Sequence, residues 1–226
     1  MKVVTWNLGY WQHVSLHDEA WTYLRNEIAP DIALLQEVHP PQMREGEHIQ
    51  FVTAYRNWGT AIYTKNSSME KLEVECFQGR VASALLEVSG GKKLAVVSLH
   101  APIIGGRVFP YLAELFDEIE HVLNGMTFIV GGDLNSARLA EKVWPGYGHG
   151  PFFERLAGSI FFDCCRKFHE TEQQTYFREG STHPFQDDHL FVSHDLADLL
   201  RFCEPLDNKL TRSYSDHIPL VAEITY

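Results

Sequence analysis

Short apolar runs alternate along the chain with longer stretches in which apolar residues recur at helical spacing. The runs cover residues 3–7, 32–36, 60–64, 81–88, 94–99, 127–130, 189–193 and 220–225. Several are rich in β-branched residues and bounded by Gly, Pro or Asn, and all have strand length, so each predicts a strand. Ser89-Gly90-Gly91-Lys92, between two of them, predicts a hairpin turn. Ser15 with Asp18 reads as a capping box ahead of Ala20, Trp21, Leu24 and Ile28, a helical stripe that Pro30 ends. Tyr111, Leu112, Leu115, Ile119 and Val122 predict a second helix over 108–123, and a weaker pattern predicts a third over 196–202. No repeat, low-complexity tract or linker divides the sequence. The expectation is one domain over residues 1–226, of α/β class, with two sheets inside a sandwich.

Composition removes several alternatives. With 45% hydrophobic and 22% charged residues, the 226-residue chain has the make-up of a folded globular protein. No apolar run approaches the ~20 residues of a membrane span. The first strand follows directly on Lys2, so no signal peptide is expected, and the expected location is cytoplasmic. Cys76, Cys164, Cys165 and Cys203 show no CxxC spacing, which predicts reduced, mostly buried thiols. The charge changes the picture more. Lys and Arg total 19 against 30 Asp and Glu, a net of −11, and no basic cluster exceeds Lys92-Lys93. Proteins that grip long nucleic acids do so through a basic face. If phosphate is the substrate here, a divalent cation rather than lysine must neutralise it.

Polar residues recur where the strands end. Asn7 closes the first and Glu37 the second. His100 ends Val-Val-Ser-Leu-His, and Asp133 and Asn135 follow a strongly apolar strand. Asp188 opens Asp-His-Leu-Phe-Val, and Asp216-His217 precedes the last strand. One such residue alone is usually a turn former, and a lone histidine is usually structural. His13, His17, His39, His48, His121, His149, His169 and His194 are expected to do nothing catalytic. The series as a whole is different, because carboxylates pressed against apolar strands are costly unless paired or bound to a cation. Asp133 and Asn135, two apart, face one side of an extended backbone. Gly131 and Gly132 before them allow close approach to the backbone. Oxygen-rich ligation with histidine behind it suits Mg²⁺ or Mn²⁺, and neither HExxH nor a Cys/His spacing points to zinc.

In series, TWN, LLQE, WGTAIYTK, SLHAP, GGDLNS, DDHLFVS and SDHIPL resemble the successive motifs of the endonuclease/exonuclease/phosphatase superfamily, across essentially the whole chain. The resemblance implies a DNase I-like four-layer α/β sandwich, with two central mixed β-sheets flanked by helices. It implies Glu37 as the principal Mg²⁺ ligand, with Asn7 and Asp216 completing or steering the site. Asp133 would orient or deprotonate the attacking water, and Asn135 would hold a non-bridging phosphate oxygen. His217 would donate to the phosphate, with Asp188 fixing its tautomer and Asp187 a loop residue. At His100 the chain resembles DNase I, the sphingomyelinases and several phosphatases of the superfamily, which have His at this motif, whereas its apurinic endonucleases usually have Tyr. The glutamate that supports this histidine in DNase I-like nucleases has no counterpart in Asn57-Trp58-Gly59-Thr60.

Between residues 138 and 153, Trp144, Tyr147, Phe152 and Phe153 interleave with Gly and Pro, as in a loop that stacks on bases or covers substrate, or one packed by its own rings. Arg178 and Phe185 lie in the region that lines the family's substrate pocket, Arg178 as a phosphate contact. The expected activity is a Mg²⁺- or Mn²⁺-dependent phosphodiester hydrolase. A nuclease on DNA or RNA, acting as a monomer, is the first reading. A phosphatase or phospholipase acting on inositol phosphates, phospholipid head groups or small nucleotides is the second. A non-catalytic binding domain is the third, and the retained carboxylates argue against it.

Overall fold

Successive residues of a strand face opposite sides, so an apolar run without alternation has to be covered on both faces. The computed structural model, which describes residues 1–74, 77–88, 90–104, 108, 111–180 and 183–225, meets this requirement with two stacked sheets. Its strands are β1 (Lys2–Asn7), β2 (Ile32–Val38), β3 (Glu47–Tyr55), β4 (Trp58–Lys65), β5 (Met69–Lys71) and β6 (Val81–Val88), then β7 (Lys92–His100), β8 (Phe128–Asp133), β9 (Phe162–Asp163), β10 (Asp188–Val192), β11 (Leu200–Pro205) and β12 (Leu220–Ile224). The helices are α1 (His17–Tyr23), α2 (Tyr111–Leu123), α3 (Ala140–Val143), α4 (His149–Ala157), α5 (His194–Ala197) and α6 (Lys209–Tyr214). One sheet runs β11-β12-β1-β2-β4-β3 and the other β5-β6-β7-β8-β10-β9. Both are mixed: β1 and β2 pair in parallel, as do β7 and β8, among otherwise antiparallel neighbours.

The layers follow from which side each residue faces. Val3, Ile32 and Leu34 join Leu94, Val96, Ile129 and Leu190 in a core between the sheets. Their neighbours Val4, Ala33 and Leu35 turn outward onto Trp21, Leu24 and Ile28. On the other sheet, Ala95, Val97 and Val130 pack against Leu112, Phe116 and Phe152 of α2 and α4. The order is helix, sheet, sheet, helix. Cys164, Cys165 and Cys203 are buried free thiols; Cys76 lies outside the described residues. Among the described residues no helix is long and apolar enough to cross a membrane.

Several expectations need correction. The stretch 196–202 is not a helix: α5 stops at Ala197 and β11 pairs antiparallel with β12, placing Leu200 and Cys203 in the inter-sheet core. A short apolar run fits either period, and pairing decided it. Ser15 caps nothing; α1 has Leu16 at its N-cap with no side-chain bond, and after a π turn the chain leaves the helical region at Ala29, φ 48°. A capping box does occur at α6, where the Asn208 side chain accepts from Leu210 N and Thr211 N. Residues 138–153 are not simply a loop, because α3 and most of α4 fall there. β3, β5 and β9 went unpredicted; β3 is a half-buried edge strand with no clean alternation. Val88 pairs with Lys92 across the expected hairpin, whose Ser89 lies outside the described residues, as do residues 109 and 110 at the start of the second predicted helix.

The two glycines ahead of Asp133 are required by contact. A Cβ on Gly131 would stand 2.6 Å from Leu190 Cδ2, and one on Gly132, at φ 153°, would stand 1.8 Å from the Leu99 carbonyl oxygen. Gly132→Ala would have to separate β7 from β8 and should lose about 3 kcal/mol or more. Gly158→Ala, whose Cβ meets nothing nearer than Arg155 O at 3.7 Å, is the control and should stay close to wild type in thermal unfolding.

Candidate active site

The parallel pairs β1/β2 and β7/β8 deliver Asn7, Glu37, His100 and Asp133 at their C-terminal ends, the usual place for a site on such sheets. Two local distortions aim the side chains. In β2 the pairing with β4 slips between Leu35 and Val38, and Glu37 within that bulge has φ 46°. A left-handed glutamate is strained by about 1–2 kcal/mol, and the bulge turns its carboxylate into the cleft. Asn135, φ 48°, is a residue type that accepts this region; its N–H donates to Asp133 Oδ1 at 2.8 Å and its amide to Ala101 O at 3.0 Å. Beneath the site, Gln36 Nε2 donates to Ser98 Oγ at 3.0 Å, tying one sheet to the other.

Asp133 Oδ2 is the centre. Asn7 Nδ2 donates to it at 2.9 Å, while His100 Nε2 stands 3.7 Å and His217 Nε2 3.8 Å away. Asp188, fully buried, receives His217 Nδ1 at 2.8 Å on Oδ2. Trp6 Nε1 donates to the His217 carbonyl at 3.0 Å, and Ser215 Oγ takes the His217 N–H and donates to Asn7 O. The His217 loop is thereby fastened to β1. Burial opposes a charge on His217, but the Asp188 and Asp133 carboxylates outweigh it and hold the imidazole well above its ordinary value. His100 goes the other way. Burial lowers it to about 4, with Asp133 opposing and Arg80 adding to the fall. Of the two imidazoles, His217 is the charged one at neutral pH.

Where the sequence offered no glutamate for His100, the structure places an arginine. Arg80 NH1 is 3.0 Å from His100 Nδ1 and 3.5 Å from Nε2, a position over the ring rather than along either lone pair. Glu37 Oε1 lies 3.7 Å from His100 Nε2. Its carboxyl is pushed up to about 7, by burial first and by Asp133 second, while His217 and a hydrogen bond from Trp11 pull it down.

A cleft of about 860 Å³ opens over these groups. Asn7, Glu37, Asp133, Asn135, Asp216 and His217 line it; Asp188 stands behind His217, and His100 beside Asp133. Trp144, Tyr147, Arg178 and Phe185 are all on its walls. The aromatics of residues 138–153 divide: Trp144 and Tyr147 are 46% and 49% exposed, whereas Phe152 and Phe153 are in the core. The sequence does not single out Trp11 and Tyr176, which also line the cleft, and it sets aside Asp187 and His149, which do too. Trp11 is 56% exposed in the turn after β1. Tyr176 bridges to His217, with ring centroids 4.7 Å apart. Asp187 precedes β10 as a loop residue, yet faces the cleft.

The donor set suits a hard divalent cation. Glu37, Asp216 and the Asn7 amide oxygen, which also accepts from Gly9 N at 3.0 Å, are oxygen donors that line the cleft, and the Asp133 and Asp216 carboxylates add to the burial that raises the Glu37 carboxyl. Among the described residues no group of three or more His, Cys, Asp or Glu side chains is placed to hold a metal ion by itself. Mg²⁺ needs none, since it is held through one or two carboxylates together with water and substrate phosphate.

The chain matches the model of the Endonuclease/Exonuclease/phosphatase family over residues 4–217. Among solved structures it is similar to a 3′ phosphatase from Neisseria bound to product DNA hairpin, with TM-score 0.78 and 18% identity over 100% of both chains. It is also similar to an AP endonuclease from Archaeoglobus fulgidus, with TM-score 0.75 and 19% identity over 100% of both chains. A third is an AP endonuclease from Leishmania major, with TM-score 0.75 and 18% identity, covering 100% of this chain and 87% of that one. At these identities the likeness establishes a shared fold, the DNase I-like α/β sandwich. No curated protein sequence matches the chain.

Proposed function

Since the chain belongs to the endonuclease/exonuclease/phosphatase family, we propose that it is a divalent-metal-dependent phosphodiesterase whose substrate is a nucleic acid, working as a single domain over residues 1–226. The convergence of Asn7, His100 and His217 on one oxygen of Asp133 carries this reading. Asp133 holds and deprotonates the attacking water. Asn7 fixes the Asp133 carboxylate, and Asn135 offers its remaining amide hydrogen to a phosphate oxygen. His217, kept protonated by Asp188, donates to the phosphate as charge builds on it. Neutral His100 presents a ring nitrogen beside Asp133 and carries no charge of its own. Glu37 and Asp216 would hold Mg²⁺ or Mn²⁺, which supplies the positive charge that an acidic cleft lacks. Trp144, Tyr147, Phe185 and Arg178 contact the remainder of the substrate.

The test is hydrolysis of single- and double-stranded DNA, abasic duplex, RNA and inositol phosphates, with Mg²⁺, with Mn²⁺ and with EDTA. Metal-dependent cleavage of a nucleic acid supports the proposal; turnover of small phosphate esters alone overturns it. Only Arg178 among the charged lining residues described is a Lys or Arg, which favours a small phosphate ester as the second reading.

Glu37 gives a separate expectation. A carboxyl raised to about 7 in the fold contributes stability that is full below its ordinary value and lost as pH rises through 7. A cation binds the ionised form. Stabilisation by Mg²⁺ should therefore be small at pH 5.5 and full at pH 8.5. At a hundredfold excess over Kd it is worth about 2.7 kcal/mol, a Tm rise of roughly 5–10 °C for this size. Glu37→Gln should abolish most of the rise and its pH dependence; an unchanged rise would remove Glu37 from the site.

A further inference from the structure

His149 lines the cleft and takes no part in the chemistry above. It opens α4 and is 8% exposed. Its Nδ1 stands 2.8 Å from the hydroxyl of Ser136, a buried residue next in the chain to Asn135. That hydroxyl has no other hydrogen-bond partner among the described residues. Its hydrogen therefore goes to Nδ1, and the ring's own hydrogen sits on Nε2. Among the described residues none bonds to Nε2, which is not a buried atom and opens on the cleft. The nearby carboxylates do not make this ring a second His217. Glu141 commits its oxygens to the N–H groups of Gly146 and Gly150, and Glu172 to those of Arg138 and Leu139. Burial outweighs both and holds His149 below its ordinary value. His217 leans on a carboxylate and is suited to a phosphate, whereas His149 leans on a hydroxyl and is a neutral N–H donor. Glu141 also occupies the Gly150 N–H at the start of α4, where a phosphate would otherwise dock.

We propose that His149, set in place by Ser136, is a specificity residue that donates its Nε2 hydrogen to an uncharged acceptor, in the sugar or the base, on the nucleoside beside the scissile phosphate. The inference rests on the phosphodiesterase reading and adds to it a contact that no phosphate makes. Asn135, one residue before Ser136, is the amide assigned to a phosphate oxygen, so the donor next to it meets the next group along the substrate.

The experiment measures kcat and KM at saturating Mg²⁺ on a short single-stranded DNA, its duplex and its RNA counterpart, and carries the form cleaved best through the variants. His149→Leu should raise KM about tenfold or more with kcat within about threefold, the scale of one hydrogen bond whose partner is left unpaired. His149→Gln, which puts an amide N–H near the Nε2 position, should bring KM back within about threefold of wild type. Ser136→Ala releases the ring and should raise KM less than His149→Leu does. Inorganic phosphate, which takes only the scissile position, should inhibit all four proteins with the same Ki. An oligomer of abasic residues locates the acceptor: a KM equal in wild type and His149→Leu assigns it to the base, and a gap that persists assigns it to the sugar. An unchanged KM in His149→Leu, or in Ser136→Ala where His149→Leu does not fold by circular dichroism, overturns the contact while leaving the phosphodiesterase intact. So does a His149→Gln no better than His149→Leu, a kcat that falls more than KM rises, or a phosphate Ki that rises with KM. Hydrolysis of simple phosphate esters but of none of the three nucleic acids sinks the phosphodiesterase reading and the contact together.

Discussion

Asp133→Asn should lower kcat at least about 10³-fold, within the range that removal of a positioned general base produces. The substitution keeps the shape of the side chain and deletes the negative charge on which Asn7, His100 and His217 converge. Both carboxylate oxygens accept hydrogen bonds, Oδ2 from Asn7 Nδ2 and Oδ1 from the Asn135 N–H. The new amide must turn its NH₂ toward one of these donors, a local penalty of about 1–3 kcal/mol. Against that, a carboxylate disappears from a crowded group. Asp133 is the second cause, after burial, of the raised Glu37 and Asp187 carboxyls. The fold should therefore survive, and Glu37 should titrate below 7 in the variant. Steady-state kinetics and NMR titration of the Glu37 carboxyl check the two halves separately. Activity within tenfold of wild type would displace Asp133 from the chemistry, and an unmoved Glu37 would deny the electrostatic coupling.

Much of this arrangement was legible in the chain because it is written locally. The eight predicted strands occur, their ends displaced by at most three residues, since a strand buried on both faces shows as an uninterrupted apolar run. The polar residues at those ends are brought together because parallel pairing puts the ends of β1 and β2, and of β7 and β8, at one side of their sheets. What was not legible depends on contacts between distant segments. Arg80 meets His100 because β6 and β7 pair antiparallel, which returns the start of one strand to the end of the other. Tyr176 reaches His217 through a single bridge 41 positions along the chain. Asp187 looks like an ordinary loop residue until the fold sets it on the wall of the cleft. The strand β11 was misread for a similar reason: only its partner β12 distinguishes it from a helical turn.

Asp188→Asn should change the pH dependence of the reaction and not merely its rate. Two carboxylates, Asp188 before Asp133, hold the His217 imidazole protonated against burial. Without the Asp188 charge, burial gains and the proton leaves at a lower pH. Activity that depends on a charged His217 should then be retained best near pH 5.5 and fall as pH rises toward 9, a limb that wild type shows only at higher pH. The loss at pH 8 should be about 10²–10³-fold, the usual scale for removing one preorganised donor, and His217→Ala should lose as much at every pH. Stability follows the same sign: a histidine raised in the fold stabilises fully below its ordinary value and loses that contribution as pH rises through the folded one. Asp188→Asn should accordingly narrow the gap in Tm to His217→Ala as pH increases. A kcat/KM profile from pH 5.5 to 9 for both variants decides the matter. A uniform, pH-independent loss in Asp188→Asn would mean that Asp188 only fixes the imidazole in place, and near-normal rates in His217→Ala would mean that the charge is not used at all.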